Sequence, residues 1–348
     1  MSGPRTLTVV AKRRESSLIT SFHLAAEGGA DLPPFRPGQF LVFRLQTPDG
    51  EVVRNYSLSG SPDAPGQYRI SVKREALGAG SRHLHDQLQV GDRLVADGPR
   101  GAFVLDEDSP RPVVLLSGGV GLTPMVAMLH RLAAGSRRVA FVHACEDGAV
   151  HALRGEVSTL AASRPGITAH YAYRTPSDAD RQAGHHHSDG LLTREVLQGL
   201  LCLDDYDFYL CGPPPFMAAI YPMLRSLGVP KARIAYEFFG PATVLEEGPV
   251  AAAPQPAPVA PDTGAITVEF RKSGITAVWS DAAESLLSLA EDNGLRPDFS
   301  CRAGICGTCK SSITAGEVDY FEEPLDELAS GEVLLCCSRP KTSVVLDL

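Results

Sequence analysis

Short alternating apolar runs dominate the first hundred residues. Leu7–Val10, Phe40–Leu45, Tyr68–Val72 and Arg93–Ala96 each read as a strand, separated by Gly/Pro turns. Such spacing predicts a small antiparallel β-barrel. From about Arg111 the texture changes. Val113–Leu116 is an unbroken apolar run, as a fully buried strand requires. A Gly-rich turn and a helical pattern over Pro124–Ala134 follow it, and Val139–His143 and Asp207–Leu210 read as further buried strands. Strand–helix alternation predicts a parallel α/β sheet.

A third texture begins after a composition break. Residues 246–263 contain five Pro and five Ala, which marks a linker with polyproline II character. At ~3.1 Å per residue it spans up to about 55 Å. The expected organisation is a barrel domain over 1–108, an α/β domain over 109–243, a Pro/Ala-rich linker over 244–263 and an α+β (β-grasp) domain over 264–348.

The last segment carries the most specific spacing. Cys301-x4-Cys306-x2-Cys309 is followed by Cys336 after 26 further residues, the arrangement of a plant-type [2Fe–2S] site. Gly304 and Gly307 let the three-cysteine loop fold tightly, and the N–H groups of such a loop can point at the sulfurs. The fourth thiolate is expected on a strand, Val333-Leu334-Leu335-Cys336. Cys337 is a rival, but Gly331-x-Val333-Leu334-x-Cys336-x3-Pro340 is similar to the ferredoxin pattern around the last ligand. A structural zinc site on Cys306, Cys309, Cys336 and Cys337 is the alternative; it leaves Cys301 and the glycines unexplained.

Charge sharpens this picture. The formal net charge is −9, with 7 Lys+Arg against 14 Asp+Glu from Gly264 onward, so this segment alone carries −7. An acidic module argues against nucleic acid as a partner and suits docking onto a basic protein surface. No apolar stretch approaches a membrane span and no signal peptide is visible, so a cytoplasmic protein with reduced cysteines is expected.

Two further constellations point to cofactors. Arg54-Asn55-Tyr56-Ser57 closes a strand. An Arg there can pair with a pyrophosphate, a Tyr can lie on a flavin ring and a Ser can bond the ring's N5/O4 edge. Gly78-Ala79-Gly80-Ser81 allows backbone to approach phosphate. Ser117-Gly118-Gly119-Val120-Gly121-Leu122-Thr123-Pro124 joins a strand to a helix, the context in which a glycine turn holds a dinucleotide. Tyr209-Leu210-Cys211-Gly212-Pro213 sits at another strand end, where a Cys and a Gly-Pro turn can frame a nicotinamide; the plainer reading of Cys211 is a small core residue.

The segments RNYSLS (54–59), YRISVKRE (68–75), SRHLHDQLQVGD (81–92), SGGVGLTPMVAML (117–129), FYLCGPPPFM (208–217) and YEFFGP (236–241) together resemble the ferredoxin–NADP reductase superfamily, most nearly the reductase part of flavohaemoglobins. The C-terminus resembles plant-type ferredoxins, and the order flavin–nucleotide–cluster is similar to that of phthalate dioxygenase reductase and related oxygenase reductases. This resemblance implies roles. Arg54, Tyr56 and Ser57 hold the flavin, Val72 and Arg74 line its ring and tail, and Gly80 and Ser81 meet its pyrophosphate. Gly119, Gly121 and Thr123 receive the nicotinamide nucleotide. Cys211 and Gly212 lie near the hydride path, Phe239 covers the ring face, and Glu237 handles a proton. Ser57, Cys211 and Glu237 are thus the expected catalytic group. FAD is implied, with FMN allowed by the domain order. Glu146 and Asp147 after the second parallel strand favour NADH over NADPH, with Arg174 as the opposing signal. The expected activity is electron transfer from NADH through FAD and the [2Fe–2S] cluster to a partner protein, a terminal oxygenase of Rieske or P450 type, docking on the acidic ferredoxin face. The alternatives are direct flavin reduction of a quinone or nitro compound, and a redox sensor. His185-His186-His187 reads as a solvated loop and Trp279 as ferredoxin core.

Overall fold

The structure is a computed structural model; it describes residues 4–48, 50–64, 66–239, 266–280, 283–299, 302, 304, 305 and 307–348. The chain divides into two compact units, Met1–Glu237 and Phe238–Leu348.

The first unit opens with six strands: β1 (Arg5–Arg14), β2 (Ile19–Ala26), β3 (Phe40–Thr47), β4 (Gly50–Ser57), β5 (Gln67–Lys73) and β6 (Arg93–Arg100). They pair antiparallel in the order β4-β3-β6-β1-β2-β5. A bridge between Leu58 and Ile70 joins the two edges and closes the sheet. Inward residues Leu7, Phe22, Leu24, Leu41, Phe43 and Ile70 fill it. The single-turn helix α1 (Ala79–Arg82) follows β5. All four runs read from the sequence are strands. β2 escaped that reading because its period is blurred: Thr20 and Ser21 are buried beside Phe22, and Ser21 shares a hydroxyl bond with Ser71 at 2.7 Å.

An α/β sheet follows. Its strands are β7 (Val113–Gly118), β8 (Val139–Cys145), β9 (Ile167–Tyr173), β10 (Ser188–Asp189), β11 (Asp207–Gly212) and β12 (Ile234–Phe238), in the order β10-β9-β8-β7-β11-β12. The pairs from β10 through β11 are parallel. The helices are α2 (Leu122–Ala133), α3 (Arg154–Ala162), α4 (Asp178–Ala183), α5 (Arg194–Leu200) and α6 (Pro214–Ser226). Parallel strands must be covered on both faces, and β7 is buried at every position. Its partners put the ends of β7, β8 and β11 side by side, which gathers the glycine turn, His143 and Cys211 at one edge.

The second unit holds β13 (Thr267–Phe270), β14 (Ile275–Val278), α7 (Leu286–Asp292), β15 (Lys310–Ala315), β16 (Val318–Tyr320), β17 (Glu332–Leu334), β18 (Ser338–Pro340) and β19 (Val344–Leu346). Five strands form a mixed sheet, β14-β13-β19-β15-β17, with β13 and β19 parallel. Leu286, Leu287 and Ala290 of α7 share a core with Val268, Phe270 and Leu346, and Trp279 packs on it. One expectation is corrected here. Cys336 is not on a strand: β17 ends at Leu334, and Cys336 sits in the 3-10 turn Leu335–Cys337. Such a turn frees a side chain from the alternation of the sheet. The expected linker over 244–263, Cys301 and Cys306 lie outside the described residues.

Candidate functional site

Three strand ends meet in the first unit. Ser57 ends β4 and is buried; Cys211 is fully buried one residue before the end of β11; Glu237 stands near the end of β12. Glu237 is half-buried as a residue, yet its Oε2 is out of reach of solvent and has no partner among the described residues. Loss of hydration pushes this carboxyl up to about 8, against a hydrogen bond from Ser57 that pulls it down. Burial, with the nearby Glu237 charge, raises the Cys211 thiol well above its usual range. The site thus holds a protonated carboxyl, a neutral thiol and a hydroxyl at neutral pH. It can hold and release a proton; it offers no thiolate nucleophile.

The barrel side of the site is built on β4 and α1. Arg54 is exposed, makes no ion pair among the described residues, and donates from Nη1 to the Val53 carbonyl at 2.7 Å, so its charge is available to an anion. Tyr56 packs on Phe43 at 5.9 Å, and burial raises its phenol pKa. A Cβ on Gly80 would come within 2.9 Å of Arg54 Cγ and 3.4 Å of the Tyr56 hydroxyl, so a glycine lets α1 close onto β4. The Ser81 hydroxyl accepts from the Glu75 N–H at 3.1 Å and donates to the Gly78 carbonyl at 3.2 Å, so it closes its own loop. Val72 lies in β5 and Arg74 directly after it. Val72 belongs to the barrel core and its carbonyl accepts from His85; Arg74 forms a two-pronged bond with Asp86 at 3.0 and 2.8 Å.

The glycine turn is shaped by its neighbours. Gly119 has φ +52°, a conformation that favours glycine, and open space around it. A Cβ on Gly121 would stand 2.2 Å from the Cys211 carbonyl oxygen. The ring of Phe216 lies against both Gly118 and Gly212, 2.8 and 2.5 Å from where their Cβ atoms would be. The Thr123 hydroxyl donates back to the Val120 carbonyl at 3.1 Å and so stabilises the turn. Glu146 accepts from Thr175 at 2.5 Å and faces Arg174 at 3.6 Å, whereas Asp147 receives the N–H groups of Ala149 and Val150. Phe239 follows β12 directly and is half-buried.

Sequence reasoning missed His143, His151 and Phe216. Parallel pairing places Ser117 opposite both Cys211 and His143, and Ser117 Oγ lies 2.9 Å from His143 Nδ1. Burial pushes this imidazole down to about 4, so it is neutral. A polar residue at the C-terminal end of a buried apolar run was the available signal. In the histidine loop His185 and His187 are exposed and His186 is half-buried. His186 stacks on Tyr173 at 5.0 Å and bonds Asp189 at 2.7 Å, and His187 Nδ1 accepts from the Tyr171 N–H.

In the second unit Cys309 and Cys336 are almost fully buried. The Gly304 N–H donates to Cys336 Sγ at 3.4 Å, whereas Cys337 Sγ donates to the Leu334 carbonyl at 3.7 Å. Backbone N–H directed at sulfur suits a thiolate ligand. A Cβ on Gly304 would come within 2.9 Å of Cys337 Sγ, and its φ is +70°. Arg302 donates to Glu291 at 2.6 Å, and its guanidinium lies 4.1 Å from the centre of the Phe299 ring. These groups fit a cluster, the glycine turns fit phosphates, and the orphaned Glu237 oxygen fits a redox ring that exchanges protons.

Fold and site define an oxidoreductase assembled from three cofactor modules. Residues 6–105 match the oxidoreductase FAD-binding domain, 115–221 the oxidoreductase NAD-binding domain and 268–341 the 2Fe-2S iron-sulfur cluster binding domain. The FAD/NAD-binding domain of nitric oxide dioxygenase from Vibrio cholerae is 37% identical with a TM-score of 0.61, covering 68% of this chain and 99% of that one. Phthalate dioxygenase reductase is 26% identical with a TM-score of 0.59, covering 99% of this chain and 97% of that one. The flavohemoprotein of Bordetella pertussis is 44% identical over 246 residues, 69% of this chain; the chain spans 61% of that relative's length. The chain belongs to the ferredoxin–NADP reductase superfamily, as a flavin- and nicotinamide-binding NAD(P)H oxidoreductase with a C-terminal [2Fe–2S] ferredoxin domain. No helix among the described residues is long and apolar enough to cross a membrane.

Proposed function

We propose that the protein carries electrons from NADH through FAD and the [2Fe–2S] cluster to a separate protein, a terminal oxygenase of Rieske or P450 type. The observation that carries this reading is the likeness to phthalate dioxygenase reductase over 99% of the chain, with all three modules in one order. When bound, the nicotinamide supplies a hydride, the flavin turns the pair into single electrons and the cluster carries one at a time.

The chain's own residues do the rest. Arg54 and the backbone around Gly80 hold the flavin's phosphates, and Tyr56 and Phe239 bound its ring. The turn from Gly119 to Thr123 seats the nucleotide, and Gly121 and Gly212 let it come close. Cys211 fills the floor beneath the hydride path and keeps water out. Glu237 and Ser57 hold the proton that accompanies the change in ring charge. Glu146 bonds the ribose and disfavours a 2′-phosphate, which gives the preference for NADH. Cys301, Cys306, Cys309 and Cys336 ligate the cluster.

An anaerobic NADH titration tests the route. Flavin bleaching is expected together with growth of the EPR signal of a reduced [2Fe–2S] cluster. In Cys336→Ser the flavin still bleaches, the cluster signal is lost or altered, and reduction of the oxygenase stops. Unchanged reduction of the partner by that variant overturns the relay. Cys337→Ser is expected to keep the signal.

A further inference from the structure

A cavity of about 280 Å³ opens at the start of α3, lined by Arg13, Glu15, His151, Leu153, Arg154, Gly155 and Glu156. It shares no residue with the glycine turn or with the Ser57, Cys211 and Glu237 group. Three sets of donors belong to the residues that line it. α3 has nine residues, and no side chain caps its N-terminal N–H groups. Arg154 Nη1 is buried with no hydrogen-bond partner among the described residues. His151 is 5% exposed; its Nδ1 pairs with the Tyr173 hydroxyl at 2.8 Å, and its Nε2 is buried with no partner among the described residues.

The imidazole is neutral, because burial pushes it down to about 2. With the Tyr173 hydroxyl donating to Nδ1, Nε2 carries the proton and becomes a donor. A buried donor left unsatisfied is costly, and here two such atoms belong to residues that line one space. Leu153, the residue before α3, is held at φ +56°, and backbone outliers of this kind cluster at ligand clamps. The charges agree. Arg13 and Arg154 make no ion pair among the described residues, and Glu15 is the opposing carboxylate. Glu156 is already neutralised: Arg69 donates to it at 2.7 and 2.8 Å, and His130 lies 2.6 Å away.

We propose that this cavity is a phosphate-binding site, in which phosphate oxygens accept from His151 Nε2, Arg154 and the first-turn N–H groups of α3. Occupancy is felt at the nucleotide turn, since His151 packs on His143 in a tilted pair, 4.7 Å between ring centres, and His143 bonds Ser117. The phosphate belongs either to the nicotinamide dinucleotide or to a separate phosphorylated molecule.

The test is calorimetric titration of the full flavin- and cluster-loaded protein with inorganic phosphate, with and without saturating NAD⁺. Saturable binding is expected, weakened about tenfold in Arg154→Gln, as loss of one charge-assisted bond implies. Arg13→Gln, at an exposed position that leaves the fold intact, weakens it by a smaller factor. Displacement by NAD⁺ assigns the site to the dinucleotide, and undisturbed binding assigns it to a separate ligand; both support the site. Absence of saturable binding by the wild-type protein, or equal affinity in the wild type and both arginine variants, overturns it.

Discussion

Glu237 holds a proton that an ordinary carboxyl loses. Its folded pKa of about 8 stands above the unfolded value of 4.5 because the carboxyl is stripped of water. The folded state binds the proton more tightly, so the stability this group contributes is full below about pH 4.5 and is lost as pH rises through about 8. Glu237→Gln, which keeps the shape and cannot ionise, is expected to flatten that part of the stability curve; thermal midpoints of variant and wild type at pH 5, 7 and 9 decide it. The same variant slows flavin reduction by NADH by up to about 10²-fold if the carboxyl transfers a proton in that step. An unchanged rate and pH profile would reduce Glu237 to a filler. Gly121 is constrained by space alone. In Gly121→Ala the new methyl meets the Cys211 carbonyl, so α2 must shift from β11, at a cost of about 1–3 kcal/mol. The expected result is a lower thermal midpoint and weakened NADH binding with flavin content retained.

Elements are tied to one another by charge as well as by core. Arg69 on β5 grips Glu156 on α3 with two hydrogen bonds, and His130 on α2 meets the same carboxylate, so barrel and α/β sheet share one polar knot. Burial alone raises the Glu156 pKa; the bonds from His130 and Arg69 overcome it and bring the group down to about 2. Its contribution to stability is therefore present above about pH 4.5 and lost as pH falls toward 2. Arg69→Met leaves a part-buried carboxylate without its main partner and is expected to destabilise the first unit by about 2 kcal/mol at pH 7, with the difference vanishing near pH 2; urea unfolding at both pH values measures it. Neither partner was legible beforehand, since 87 residues separate them and only the fold makes them neighbours. What the chain did disclose was local. The β7 run, the glycine turn and the three-cysteine loop Cys301-x4-Cys306-x2-Cys309 each carry their reason within a dozen residues. β2 stayed hidden because both its faces are buried, and His143 because its meaning depends on parallel register with Ser117.

At the scale of the whole chain the charge is lopsided. The C-terminal 85 residues carry −7 of the total −9, while the larger part is nearly neutral. Attraction between an acidic module and a basic partner is screened by salt, whereas hydride transfer inside the first unit involves no such encounter. The two steps are therefore separable by ionic strength. Reduction of a basic haem protein by the NADH-fed chain is expected to slow about tenfold between low and high salt, while reduction of the anionic acceptor ferricyanide holds steady or quickens. Flavin bleaching by NADH, followed in stopped flow without any acceptor, should not share the decline in haem-protein reduction. A haem-protein rate independent of salt would show that the acidic surface does not steer the encounter, and would leave the cluster's exit to apolar contact around Cys309 and Cys336.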